Sequence, residues 1–350
     1  MNIKKILAVV LSLCMLTALV ACGGAKEADY KLGMGVVVNM DSSADEKAQV
    51  DATVAAVVTD KDGKIVSCRI DVAQNKMTVT DGEVDTEAAF KTKMELGSDY
   101  GMAGNQYSTD NNGDGKVLEW DEQAKAFEEY VIGKTAADIE AMTTQEVNGH
   151  QISTDEDLLA AGCTIQIGGF RDAVVKACND EQGMDFKAAE GFTLGVAAKT
   201  NADGSTAATD DEDGVVKMYT DFAAAVVADG KIVAALNDAI QPNITVDKDG
   251  KIVDTAFKAT KRELKEDYGK DGNQYSSDNN GDGVVLEWYE QSAAFSAYVV
   301  GKTADEVTNM ETQEAEGHTI AADEELLKAG CTSQITGICA VMGQAANNAR

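Results

Sequence analysis

Val54-Ala55-Ala56-Val57-Val58, then Asp60-Lys61-Asp62-Gly63, then Lys64-Ile65-Val66-Ser67-Cys68-Arg69-Ile70 is the stretch that sets the fold. Two apolar, β-branched runs flank an Asp-Gly turn, which is the pattern of an antiparallel hairpin. It returns as Ala224-Ala225-Val226-Val227, Asp229-Gly230 and Lys231-Ile232-Val233. Later Asp-Gly pairs, Asp81-Gly82 and Asp249-Gly250, extend each hairpin toward a meander of about four strands.

The repetition continues beyond the hairpin. Tyr100 and Tyr268, Asp110 and Asp278, Trp120 and Trp288, His150 and His318, and Thr164 and Thr332 each stand 168 residues apart. One unit is therefore written twice, over 30–179 and 191–350, with 180–190 as a linker. Residues 86–96 and 255–266 are compatible with helices. Trp120, Ala124, Phe127 and Val131 form an apolar stripe at helical spacing, repeated by Trp288, Ser292, Phe295 and Val299. Thr135 with Asp138 and Thr303 with Glu306 have the spacing of capping boxes. A last helix is expected over 170–178, with its counterpart from Ile338. Strands come first and helices after, without βαβ alternation. That order predicts an α+β class, with two tandem homologous domains each built on a mostly antiparallel sheet.

The beginning of the chain reads as an export signal over 1–21. Lys4 and Lys5 precede an apolar run, and Leu19-Val20-Ala21-Cys22 ends it with small residues. That ending resembles the lipobox of bacterial lipoproteins. The resemblance implies cleavage before Cys22, lipid on its thiol, a short tether over 22–29, and residence at the extracytoplasmic face of the cell membrane. The alternative is secretion without an anchor.

The chain carries 30 basic against 60 acidic residues, a formal charge of −30. Such a balance repels phosphate backbones and argues against a nucleic-acid partner. Of the 7 cysteines, only Cys163 and Cys331 occupy matching positions. A disulfide framework would repeat with the domain, so the cysteines read mostly as small buried residues. Cys163–Cys178 and Cys331–Cys339 bridges are left open. Hydrolase chemistry lacks its motifs: there is no Gly-x-Ser-x-Gly and no His-Glu-x-x-His.

Residues 110–121 follow an EF-hand calcium loop. Asp110, Asn112 and Asp114 stand at positions 1, 3 and 5, Gly115 at 6, the Lys116 carbonyl at 7 and Asp121 at 12. A hard cation needs six to eight oxygens converging on one point, and this spacing supplies them. Asp121 in place of the usual Glu resembles a dockerin-type loop. The second copy offers Asp278, Asn280, Asp282 and Val284, but position 12 is Tyr289, and Glu290 lies one residue late. The alternative for both is a plain Asp/Asn/Gly turn.

Asp157-Leu158-Leu159-Ala160-Ala161-Gly162-Cys163-Thr164 precedes the last helix, and Ala329-Gly330-Cys331-Thr332 repeats its end. Here the chain resembles the FMN-binding domain family, whose motif is close to Ser-Gly-Ala-Thr before a helix. The resemblance implies FMN held by a phosphoester on the threonine hydroxyl, made by a flavin transferase. Thr164 and Thr332 would be the attachment points, Gly162 and Gly330 the turn glycines. Cys163 and Cys331 stand where the family usually has Ala, and Ala161 and Ala329 where it has Ser or Asp. A phosphate at a helix start meets free N–H groups and the positive end of the dipole. Trp120 and Trp288 could stack on a flavin or belong to the core. His150 and His318 could tune a flavin, bind a metal or lie on the surface. The alternative for Gly-Cys-Thr is a buried turn packing the last helix on the sheet.

Two functions follow. One is a lipid-anchored carrier with two flavins, passing electrons to a redox partner outside the membrane. The other is a calcium-stabilised surface binding or structural lipoprotein with no redox role.

Overall fold

A computed structural model describes residues 27–102, 118–147, 149–269, 286–315 and 317–350. In the first half the elements are β1 (Ala28–Asn39), β2 (Lys47–Asp60), β3 (Ile65–Thr80), β4 (Glu83–Val84), α1 (Lys93–Leu96), α2 (Trp120–Tyr130), α3 (Ala136–Glu140), β5 (Thr144–Val147), β6 (His150–Ser153), α4 (Glu156–Ala160) and α5 (Gly168–Cys178). They continue with β7 (Met184–Ala188), β8 (Thr193–Asn201), β9 (Gly214–Lys217), β10 (Tyr219–Ala228), β11 (Lys231–Ile240), β12 (Asn243–Val246) and β13 (Ile252–Ala256). The second half closes with α6 (Lys261–Leu264), α7 (Trp288–Tyr298), α8 (Ala304–Thr308), β14 (Thr312–Ala315), β15 (His318–Ala321), α9 (Glu324–Lys328) and α10 (Thr336–Asn347). The fold is α+β, and every strand pairing described is antiparallel.

The expected hairpins form as β2–β3 and β10–β11. Their strands belong to sheets of order β4-β3-β2-β1-β7 and β11-β10-β8, with a third sheet of order β13-β12-β9 beside them. Alternation along each strand divides its side chains between two layers. On β2, Ala52, Val54, Ala56 and Val58 join a core with Phe222, Ala224 and Val226 of β10. Ala55 and Val57 point the other way, to the first-half helices, as Ala223 and Ala225 do to the second-half helices. The order of layers is therefore helices, sheet, sheet, helices, with the middle core drawn from both halves.

Residues 180–190, expected as a linker, contain β7, which pairs with β1 at the edge of the first sheet. The reason is a period of two: Phe186 and Ala188 are buried in the shared core while Asp185 and Lys187 are exposed. A second tie between halves is the buried pair Asp180–Arg262, at 3.1 Å.

The helices expected over 86–96 and 255–266 are shorter. They begin at capping boxes on Thr92 and Thr260, run four residues as α1 and α6, and tighten into 3₁₀ turns. The start is set from outside the helix. Buried Asp71 and Asp238 at matching places on β3 and β11 accept the backbone N–H of Met94 at 3.1 Å and of Arg262 at 3.0 Å. The capping boxes at Thr135 and Thr303 form as expected.

Gly33 and Gly195 let the last helix of each half lie directly on its sheet. A Cβ on either would stand 1.9 Å from a helix carbonyl oxygen, that of Ala177 or Ala345. No helix among the described residues is long and apolar enough to cross a membrane.

Candidate functional site

At the end of the second sheet, on its helix side, lies a cavity of about 890 Å³. That volume is within the usual range for a small-molecule cofactor. Four elements supply its chemistry: the end of β8 (Lys199), the β9–β10 edge (Lys217, Tyr219, Asp221), α6 (Lys261), and the turn into α10 (Thr332, Ser333). Tyr268, Trp288 and His318 complete the wall.

Lys261 is the centre of this arrangement. It is buried, and its ammonium lies 4.8 Å from the ring centroids of Tyr219 and Tyr268 and 5.1 Å from that of Trp288. Three ring faces partly replace the water it has lost. Its Nζ also donates to the Tyr219 hydroxyl at 3.1 Å, and that hydroxyl bonds the Asp221 carboxylate. Burial lowers Lys261 to about 8, against the pull of Asp221 and Asp238. Burial likewise raises Asp221 to about 6, against Lys261. Asp221 is 6% exposed, and its Oδ1 is buried with no hydrogen-bond partner.

The two candidate attachment threonines are built alike. Thr164 and Thr332 are each 3% exposed. Gln123 of α2 accepts both the backbone N–H and the hydroxyl of Thr164, at 2.9 and 3.1 Å. Gln291 of α7 does the same for Thr332, at 2.9 and 3.4 Å, and takes the Ser333 hydroxyl at 2.8 Å. A hydroxyl that donates in this way keeps its oxygen lone pairs for other chemistry. Gly162 and Gly330 have φ of 100° and 94°, a region open to glycine, as a tight turn there requires. Cys163 and Cys331 pack into the two helix-side cores, and burial raises the Cys163 thiol to about 12. Among the described residues, Cys68, Cys163, Cys178, Cys331 and Cys339 form no disulfide.

Trp120 and Trp288 are both buried, but the described lining of the cavity includes only Trp288. His318 is on its wall, with Nδ1 3.4 Å from Gln334 Oε1. Of the expected calcium ligands, Asp110, Asn112, Asp114, Lys116, Asp278, Asn280, Asp282 and Val284 lie outside the described residues, as does Cys22. Asp121 stands in the first turn of α2 with Oδ1 buried and unpartnered. Glu290 completes the capping box of α7, accepting the Glu287 N–H at 2.9 Å.

Sequence reasoning passed over Lys199, Lys217, Tyr219, Asp221 and Lys261. Lys261 had a signal, since Lys93 precedes it by 168 residues and lies over Tyr100 and Trp120 in the same way. The others have no equivalents in the first half, so matching the repeats removes them from view.

No protein-family model matches the chain, and no solved structure matches it. A stretch is 34% identical over 125 residues to a chlorophenol reductase of Desulfitobacterium hafniense, covering 31% of this chain and 36% of that protein. The chain thus spans about a third of the length of the curated relative it matches.

Proposed function

We propose that this chain is a redox protein that holds FMN, displayed by a lipid on Cys22 at the extracytoplasmic face of a bacterial membrane. The observation that carries the reading is one cavity in which Thr332, Tyr268, Trp288 and three lysines meet beside the start of α10. Those residues suit a phosphorylated aromatic ligand: cations and helix N–H groups for the phosphate, and an aromatic wall beside the flavin. The partial similarity to a reductase is in keeping with redox work.

Attachment would join the Thr332 hydroxyl oxygen to the flavin phosphate. The donor is a flavin dinucleotide brought by a flavin transferase. The bond between its two phosphates breaks, the nucleotide monophosphate leaves, and the hydroxyl proton passes to solvent. When bound, the flavin supplies the electron chemistry. The protein binds it, orients it and limits its contact with water. Lys261, fixed among three rings, holds a positive charge at the inner wall. Asp221 offers an acceptor to a ligand hydroxyl or ring N–H.

Coexpression with a flavin transferase tests this. Yellow protein whose mass rises by whole FMN units, lost when Thr164 and Thr332 are both replaced by Val, is the expected result. Colourless protein of unmodified mass would end the flavin reading.

A second reading has its own observation. The buried, unpartnered Oδ1 of Asp121, at position 12 of the first calcium loop, suits a cation ligand. A calcium ion there would stiffen the entry to α2 and is compatible with either a redox or a binding role.

A further inference from the structure

We infer that the halves have diverged in what they hold: the second half alone binds the flavin phosphate, so the chain carries one flavin, on Thr332, and none on Thr164. This rests on the flavin reading above and narrows it.

The registers of the two sheets allow a residue-by-residue comparison. Gly33 pairs with Val57 as Gly195 pairs with Ala225, each glycine under the last helix of its half. Counting along the same strands, Val37 faces Thr53 where Lys199 faces Asp221, and Asn39 faces Asp51 where Asn201 faces Tyr219. Just before that, Gln49 of β2 pairs with Lys76 of β3 where Lys217 of β9 pairs with Asn243 of β12. At the helix entrance Ile165 and Gly168 replace Ser333 and Thr336.

The substitutions share one direction. Among the described residues, the second-half cavity sets Lys199, Lys217 and Lys261 against Asp203 and Asp221, three cations to two anions. The corresponding first-half residues are Lys76 and Lys93 against Asp41, Asp51 and Asp172, two cations to three anions. In a chain of formal charge −30, a local excess of positive charge is what lets a phosphate settle. The first half also loses two hydroxyl groups that could bond phosphate oxygens.

A buried group in the second half supplies an independent sign of a ligand. Asp221 Oδ1 has no partner, although the residue is 6% exposed and lines the cavity. An unpaired carboxylate oxygen in such a place costs stability unless something donates to it. Its other oxygen comes so close to α10 that a Cβ on Gly337 would lie 2.4 Å from it. The matching first-half residue is Thr53, and a Cβ on Gly169 would meet its hydroxyl at 3.1 Å.

The test uses the full chain, coexpressed with a flavin transferase, then digested and mass-mapped. One FMN per chain, on the peptide containing Thr332, is expected. Comparable flavin on the Thr164 peptide overturns the inference while leaving the flavin reading intact. No flavin on either peptide overturns both. Replacing the exposed lysines by their first-half counterparts, Lys199→Val with Lys217→Gln, should lower loading at Thr332 at least tenfold at an unchanged melting temperature. Undiminished loading would remove the lysines from the argument and overturn the inference.

Discussion

Lys199 stands directly across the β8–β10 pairing from Asp221, and the same place in the first sheet is taken by Val37 and Thr53. Two strand positions thus turn an apolar and hydroxyl pair into a charged one at the mouth of a cavity. The strand register around them is the same in both halves. The difference in chemistry therefore comes from side chains on a common scaffold.

Lys261 should make anion binding sensitive to pH. Its ammonium titrates near 8, because burial disfavours the charge more than Asp221 and Asp238 restore it. FMN affinity of the Thr332→Val protein, measured by fluorescence titration, should fall severalfold as pH rises through about 8. Lys261→Met should bind more weakly at neutral pH and lose most of this dependence. An unaltered pH profile in that variant would place the titration elsewhere.

Asp71 should make the fold more stable in mild acid. It titrates near 6 when folded, raised by burial, against a usual 3.8. Between those values the folded chain keeps a proton that the unfolded chain has lost, so this group's contribution to stability falls as pH rises through that window. Asp71→Asn keeps an oxygen for the Val72 and Met94 N–H groups and removes the buried charge. Denaturant unfolding at neutral pH should show a gain on the order of 2 kcal/mol, shrinking toward zero near pH 4. A loss at neutral pH would show that the carboxylate's bonds outweigh its burial.

Gly195→Ala should loosen α10 from the second sheet. The new Cβ would meet the Ala345 carbonyl oxygen at 1.9 Å, a backbone atom that moves only with the helix, and the Ala349 nitrogen at 2.7 Å, just past the helix end. A cost of about 2–3 kcal/mol is expected in thermal or denaturant unfolding. Flavin loading at Thr332 should fall as well, since the entrance of α10 forms part of the cavity. Wild-type stability would mean that the helix does not sit this close.

Calcium should stabilise the chain through Asp121. Saturation at about 100 times the dissociation constant raises unfolding free energy by roughly 2.7 kcal/mol. The melting temperature should rise with added calcium and fall with a chelator, and Asp121→Asn should weaken both shifts. A melting temperature indifferent to calcium would reduce the loop to an ordinary turn.

Much of this architecture was open to reading from local pattern. The Asp-Gly hairpins, the buried stripe of Trp120, Ala124, Phe127 and Val131, and the capping boxes at Thr135 and Thr303 each depend on neighbours within a few residues. Residues 86–96 and 255–266 misled because α1 and α6 start where Asp71 and Asp238, distant in sequence, reach their N–H groups. The strand within 180–190 was hidden because five residues give a weak alternation, and β1 is what makes them a strand.

The amino-acid order by itself determined the α+β class, the doubling of one unit and the Gly-Cys-Thr turns, because hydrophobic period, turn chemistry and repetition are local properties. The tertiary structure decided that the two sheets share a core and that Lys199, Lys217, Asp221, Lys261 and Thr332 surround one cavity. Those residues are separated by up to 133 positions, from Lys199 to Thr332. Only strand register and helix packing bring such distant groups together, and neither is written in any single stretch of the chain.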